Sequence, residues 1–242
     1  MSKSELDRIA REYHTSAEVP DKHIEDLCQR YCGDWILQAL GPASRVLELG
    51  FGEGIITRMM LGARRSLTVV EGSQILHVAL QREFGTDLTA IHALFEEFSP
   101  DAPFDAVVAS HILEHVDYPV ALLRRIRTWL APGGRLIVVV PNKESLHRRL
   151  AVLMKLQPKL DSLGARDKLV GHQRVYSHET LATDLKAGGF EVAEATGFFL
   201  KPVANSMRLD YSPELLAAMN EIGSQLPKEL LANIGVVATR TA

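Results

Sequence analysis

Seven residues, Glu48-Leu49-Gly50-Phe51-Gly52-Glu53-Gly54, close a short apolar run at 45–49 and open a helical pattern. Three glycines at alternate positions let a backbone turn sharply and approach a ligand where a Cβ would clash. An apolar strand, a glycine turn and a helix in that order build the crevice where open α/β sheets hold nucleotide-like ligands. The acids narrow the ligand. A dinucleotide turn wants G-x-G-x-x-G with a pyrophosphate at the helix N-terminus, whereas here Ile55 stands at the third glycine and Glu53 would repel phosphate. A loop bracketed by Glu48 and Glu53 suits a cationic ligand end. S-adenosylmethionine has a sulfonium, an ammonium, an adenosine half and no phosphate. Twenty-one residues after Gly50, the apolar run at 66–70 ends in Glu71. A carboxylate there can accept both ribose hydroxyls. The competing reading is a non-binding turn followed by a coincidental acid.

With these residues in view, the chain resembles the class I S-adenosylmethionine-dependent methyltransferases. Phe104-Asp105-Ala106-Val107-Val108-Ala109-Ser110-His111 is similar to that family's fourth strand, and Leu113-Glu114-His115-Val116 to the segment after it. Leu130-Ala131-Pro132-Gly133-Gly134, with the apolar run to Pro141-Asn142, is similar to its Pro-Gly-Gly turn and fifth strand. The likeness covers 44–142, is looser over 172–240 and is absent at the N-terminus. It implies S-adenosylmethionine as cofactor, S-adenosylhomocysteine as product, and no metal. Gly50, Phe51, Gly52 and Gly54 would give the loop its contacts, with Glu48 orienting the loop or meeting the ammonium. Glu71 would hold the ribose, Gly72 and Ser73 would border the adenine, and Leu94 and Phe95 (with Glu96) would border its other side. Ser110 would lie at the end of the fourth strand, beside the cofactor. In many small-molecule members the N-terminal segment folds over the cofactor, which places Tyr13 there and His14 toward the acceptor.

Methyl transfer is an in-line displacement, so holding nucleophile, carbon and sulfur collinear supplies much of the barrier reduction. A hydroxyl or ammonium acceptor also needs a base with a pKa near working pH. His111 directly follows the fourth strand and is the candidate base; the alternative is a residue that only shapes the cleft. His115 reads as a packing or capping residue at a helical start. His172 and Arg174 are candidate acceptor contacts, against the alternative of a solvated loop.

The elements that must position these groups alternate along the chain. The patterns predict strands at 45–49, 66–71, 88–92, 104–109, 134–140, 190–200 and 232–239. They predict helices at 21–40, 54–62, 73–83, 118–130 and 177–187. Unbroken apolar runs at 67–70 and 136–140 mark a parallel sheet covered on both faces. The expected fold is α/β: a Rossmann-like, seven-stranded, mainly parallel sheet with helices on both faces. One methyltransferase domain over 1–242 is expected, comprising an N-terminal helical lid (1–40), a cofactor-binding core (44–142), a substrate-side insertion (143–176) and the C-terminal part of the sheet (177–242). The insertion leaves the carboxyl end of the fifth strand, where ligands bind, and so reads as a lid.

A length of 242 residues with 46% hydrophobic and 24% charged content is ordinary for a globular protein. A net charge of −3 gives no bulk attraction to nucleic acid or anionic membrane. No signal-peptide pattern or spanning apolar run is present, which points to the cytoplasm. Cys28 and Cys32 lie one helical turn apart without a completing cluster and read as core residues. The expected partner is a small-molecule acceptor methylated on oxygen or nitrogen, with no nucleic acid or membrane and with homodimerisation left open. The rivals are a protein or RNA acceptor, a non-catalytic cofactor-binding subunit, and a nicotinamide oxidoreductase. Ile55 and Glu53 speak against the last, and Ser110-His111-Ile112-Leu113 stands where an Asn-Pro-Pro-Tyr motif would mark amide or nucleobase methylation.

Overall fold

In the computed structural model, which describes residues 1–15, 20–63 and 65–241, the apolar runs become strands of one sheet. Residues 16–19 of the expected N-terminal lid lie outside the described residues. The strands are β1 (Arg45–Leu49), β2 (Ser66–Glu71), β3 (Thr89–His92), β4 (Phe104–Ser110), β5 (Leu130–Pro141), β6 (Phe190–Phe198) and β7 (Asn233–Arg240). Their order is β3-β2-β1-β4-β5-β7-β6. The first five are parallel, and β7 runs antiparallel to β5 and β6. The chain moves from β1 to β2 on one side and returns to β4 on the other, which leaves a crevice at their carboxyl ends.

Alternate side chains feed two cores. Val46, Val108 and Val139 enter one, while Leu47, Leu49, Val107 and Val138 enter the other. Both faces are therefore apolar, and the runs are continuous rather than alternating.

Helix α1 (Lys3–Ile9) continues into a wider helical turn at Ala10–His14. Helix α2 (Lys22–Leu40) buries Ile24, Cys28, Cys32, Ile36 and Leu40, one every turn. It stops at Gly41, with φ +52, ahead of Pro42, which has no N–H to continue the ladder. Helices α3 (Ile55–Gly62), α4 (Gln74–Phe84) and α5 (Pro119–Trp129) join the parallel strands. The insertion after β5 holds α6 (Leu146–Leu153) and α7 (Ala165–Leu169). Helix α8 (His178–Ala187) leads to β6, and α9 (Pro213–Gly223), which the periodicity did not reveal, precedes β7. No helix among the described residues is long and apolar enough to cross a membrane.

One boundary departs from expectation by more than two residues, and one segment read as a helical start is a turn. β5 begins at Leu130, not at 134, because Leu130 pairs with Phe104 before the register skips to Arg135 opposite Ala106. The Pro-Gly-Gly step is thus a kink inside the strand. Residues 111–118 form a turn, and the helix begins only at Pro119.

Candidate active site

At the carboxyl ends of β1, β2 and β4 lies a cavity of about 330 Å³. Gly50 and Gly52 line it in the left-handed region, at φ +77 and +53. A Cβ on Gly50 would meet Ile112 Cδ1 at 2.9 Å, so this position is closed to side chains by both space and conformation. Around Gly52 nothing lies within 4 Å of the Cβ position, so bare backbone faces open space.

Three acids hold this loop. Glu71, at the end of β2, accepts from Phe51 N at 2.8 Å through Oε2 and from Ser73 N at 2.7 Å through Oε1. Burial raises its pKa, against the pull of those N–H donors. Each oxygen keeps a lone pair for a ligand hydroxyl. Glu48 accepts from the Thr57 hydroxyl at 2.8 Å, and burial pushes its pKa up to about 8. Its carboxyl is thus mostly protonated at neutral pH, until a cationic ligand end favours the charged form. Glu53 meets His14 Nδ1 at 2.9 Å, Gln29 Nε2 at 3.1 Å and Lys22 Nζ at 3.3 Å. Burial alone would raise its pKa, but the His14 contact and the Lys22 charge hold it at about 2. Glu53 is therefore also the point where the loop grips the N-terminal segment and α2.

The opposite rim is closed by α1. Asp7 accepts from Ser73 Oγ at 2.6 Å and from Ile75 N at 3.2 Å. A Cβ on Gly72 would lie 2.6 Å from Leu6 Cδ1. Leu94 and Phe95 complete this wall after β3.

At the end of β4, Ser110 and His111 line the cavity. His111 adopts φ +56, uncommon for a residue with a Cβ. Its N–H bonds Val139 O at 2.8 Å, and its ring Nδ1 lies 3.1 Å from Oε1 of the fully buried Glu114. Burial opposes the imidazolium, but the Glu114 hydrogen bond and charge outweigh it and raise the His111 pKa. With the proton on Nδ1, Nε2 is left as the acceptor.

The insertion packs on the turn after His111. Gln173 N donates to Glu114 O at 2.8 Å and its amide to His115 O at 2.8 Å. Arg174 donates to Leu113 O at 2.9 Å, to Val116 O and to Asp117 O at 3.2 Å. These carbonyls are free for Arg174 because 111–118 is a turn and not a helix. Arg174 therefore lies outside the cavity wall, which corrects its reading as an acceptor contact. Gly54 also lies outside, as the N-cap of α3. The other sequence candidates are brought together: Tyr13, His14 and His172 line the cavity with the loop residues. Arg166 of α7 donates to Tyr13 Oη at 2.7 Å and pairs with Asp21, so insertion and N-terminal segment meet at the cavity wall. His115, read from sequence as a packing residue, is on the wall as well.

Sequence reasoning missed Cys28, His147, Lys201 and Asn233 on the wall. Asn233 opens β7, which is antiparallel, so its first residue falls at the edge where the parallel strands end. A rule that looks only at carboxyl ends of strands passes over it. Cys28 sits on the buried stripe of α2, and its sulfur accepts from Asn233 Nδ2 at 3.0 Å. Its spacing looks like any core position.

A bare glycine turn, a strand-end carboxylate and acids in place of phosphate-binding cations fit S-adenosylmethionine. A family model described as a methyltransferase domain matches residues 22–195. The chain belongs to this family and is a class I S-adenosylmethionine-dependent methyltransferase. It is similar to the ubiquinone biosynthesis O-methyltransferase of Aeromonas salmonicida, at 29% identity over 188 residues, 73% of this chain and 76% of that one. The protein of the same name from Aromatoleum aromaticum is 30% identical over 181 residues, 70% of this chain and 74% of that one. In fold it matches the Burkholderia thailandensis 1,6-didemethyltoxoflavin-N1-methyltransferase, whose structure holds 1,6-didemethyltoxoflavin and S-adenosylhomocysteine. The TM-score is 0.65 at 19% identity, covering 99% of this chain and 87% of that one.

Proposed function

We propose that this methyltransferase acts on a hydroxyl oxygen of a small molecule, held between His111, the insertion at 143–176 and the N-terminal segment at 1–40. The bound cofactor supplies an electrophilic methyl on sulfur. Glu71 would hold the ribose, the backbone of Gly50 to Gly52 would approach the amino-acid end, and Gly72, Ser73, Leu94 and Phe95 would flank the adenine. Glu48 orients the loop through Thr57. His111 is the observation that carries the acceptor reading. A left-handed histidine at the end of β4, fixed through Nδ1 by a buried carboxylate, presents its other nitrogen as a proton acceptor. An amine acceptor that arrives neutral has less use for such a base. The O-methyltransferase relatives favour the same reading.

The test is methyl transfer from labelled S-adenosylmethionine to matched phenols, catechols and aromatic amines, with the product atom assigned by mass spectrometry and NMR. Oxygen-methylated product is expected. Transfer only to nitrogen, or no transfer despite tight cofactor binding, overturns the proposal.

A further inference from the structure

We propose that the acceptor carries a carboxylate and that Lys201 binds it, a substrate assignment that rests on reading this cavity as the site of methyl transfer. Lys201 reaches the cavity through the topology of the sheet. β6 is antiparallel to β7, which is antiparallel to β5, so β6 ends at the same edge as the parallel strands. Three residues past that end, Lys201 lines the cavity with Phe199 and Asn205. Phe199, at φ +64, turns the chain there. The Lys201 ammonium has no hydrogen-bond or ion-pair partner among the described residues.

The carboxylates around it are already engaged. Glu25 of α2 accepts from Asn205 Nδ2 and lies 3.7 Å from Arg166 Nη2. Asp21 pairs with Arg166, and Asp167 pairs with Arg148 at 3.0 Å. Arg208 is fully buried behind this wall, with Nη2 on Asn205 Oδ1 and its guanidinium over the Phe199 ring at 5.1 Å. Its Nε and Nη1 lack partners among the described residues. Four cations, Arg148, Arg166, Lys201 and Arg208, therefore gather against three carboxylates. Burial lowers the Lys201 pKa, and Arg208 and Arg166 push the same way against Glu25 and Cys28. His147 on the same wall feels the same field: burial, with the charges of Lys201, Arg148 and Arg208, pushes its pKa down to about 2. An uncompensated cation in a desolvated site is costly, and one bound anion removes that cost.

The size of the charge excess sets the class of ligand. One surplus positive charge matches a singly charged carboxylate, whereas a phosphate monoester, at about −1.5 to −2, would overshoot it. A lysine ammonium is a compact point charge with three donors, which suits a carboxylate oxygen. The topology also sets the spacing. β4 and β6 stand three strand spacings apart, roughly 14 Å at about 4.8 Å each. His111 after β4 and Lys201 after β6 reach the acceptor from different sides, which sets its carboxylate apart from its hydroxyl. Two points of attachment hold the hydroxyl oxygen in line with the methyl carbon. The place of the hydroxyl rests on the oxygen-methylation reading; the place of the carboxylate does not.

The test measures binding first, by calorimetry on full-length protein saturated with S-adenosylhomocysteine. The probes are 4-hydroxybenzoate, 4-hydroxycinnamate and 4-aminobenzoate, the methyl ester of each, and 4-hydroxyphenyl phosphate. At least one acid should bind ~10–100-fold more tightly than its ester, the range for hydrogen bonds to a charged group. Lys201→Met should bring that ratio close to one, and Lys201→Arg should restore most of it. S-adenosylhomocysteine affinity, measured on each variant, reports whether the fold survives. A lysine that only offsets Glu25 within the fold would give equal losses on acid and ester and leave the ratio unchanged. That outcome overturns the proposal, as does no acid preference in the unsubstituted protein, or a preference for the phosphate. Turnover of the same probes separates the two readings. Oxygen methylation without acid preference removes this proposal and leaves the oxygen-methylation reading standing. Acid preference with methyl transfer only to the nitrogen of 4-aminobenzoate does the reverse.

Discussion

The backbone N–H of Phe51 donates to Glu71 Oε2 at 2.8 Å, which ties the glycine loop after β1 to the acid that ends β2. One carboxylate thereby fixes the loop's shape and faces the cavity, where we propose that it holds the ribose. Glu71→Ala should weaken S-adenosylhomocysteine binding by roughly 1.5–3 kcal/mol, the range for hydrogen bonds to a charged group. Calorimetric titration measures it, and an unchanged affinity in a folded variant would remove Glu71 from the site.

Gly52 tests the loop from the other side. Its φ of +53 forbids a β-branched residue at ordinary cost, and its Cβ direction is open. Gly52→Val should add ~1–3 kcal/mol of backbone strain and place methyl groups in the ligand's space. Cofactor binding should fall by more than thermal stability does. A valine variant that binds normally would sink the idea that backbone approaches ligand here.

Glu48 gives a pH signature. Its folded pKa, about 8, lies above the usual 4.5 because the carboxyl is buried. A raised carboxyl pKa means the folded state binds more protons than the unfolded. Its contribution to stability is therefore full below pH 4.5 and is lost as pH rises from there to about 8. Glu48→Gln removes that loss. In urea unfolding without cofactor, the variant should gain stability relative to the parent between pH 5 and pH 9, by at most about 5 kcal/mol. Parallel curves for the two proteins would exclude a neutral Glu48.

Arg166 joins the insertion to the N-terminal segment through Tyr13 and Asp21. If those segments close over the cofactor, Arg166→Ala should speed amide exchange in 3–14 and 165–172 and shorten the residence time of S-adenosylhomocysteine. Unchanged exchange in both segments would argue against a clasp.

The sheet and the glycine-loop side of the cavity were legible because they are local. Apolar runs, glycines needing positive φ, and acids at strand ends carry their meaning in a few adjacent residues. The side formed by the turn after β4 and the insertion was not. Leu113-Glu114-His115-Val116 has helical composition, yet it forms a turn because Gln173 and Arg174, far along the chain, take the carbonyls a helix would have used. Arg174 looked like an acceptor contact for the same reason: sequence shows the charge but not the carbonyls of the 111–118 turn that hold it. His115 and His172 face each other only through that packing.

His111 follows from the same turn, and its role separates cleanly by substitution. As a base it must accept a proton through Nε2 while Nδ1 stays on Glu114. His111→Ala should lower the single-turnover methyl-transfer rate by ~10²–10⁴-fold with S-adenosylhomocysteine affinity nearly unchanged. His111→Gln retains a hydrogen-bonding amide but cannot take the proton, so it should be nearly as slow as alanine. If the ring only shapes the pocket, glutamine should restore most of the rate, and the alanine defect should lie in acceptor KM and not in kcat. A second comparison uses an acceptor whose hydroxyl is already ionised at the assay pH. A base has nothing to remove there, so His111→Gln and the parent should differ far less than on a neutral phenol. Equal defects on both acceptors would place the loss in geometry, and methyl transfer would then proceed by positioning alone.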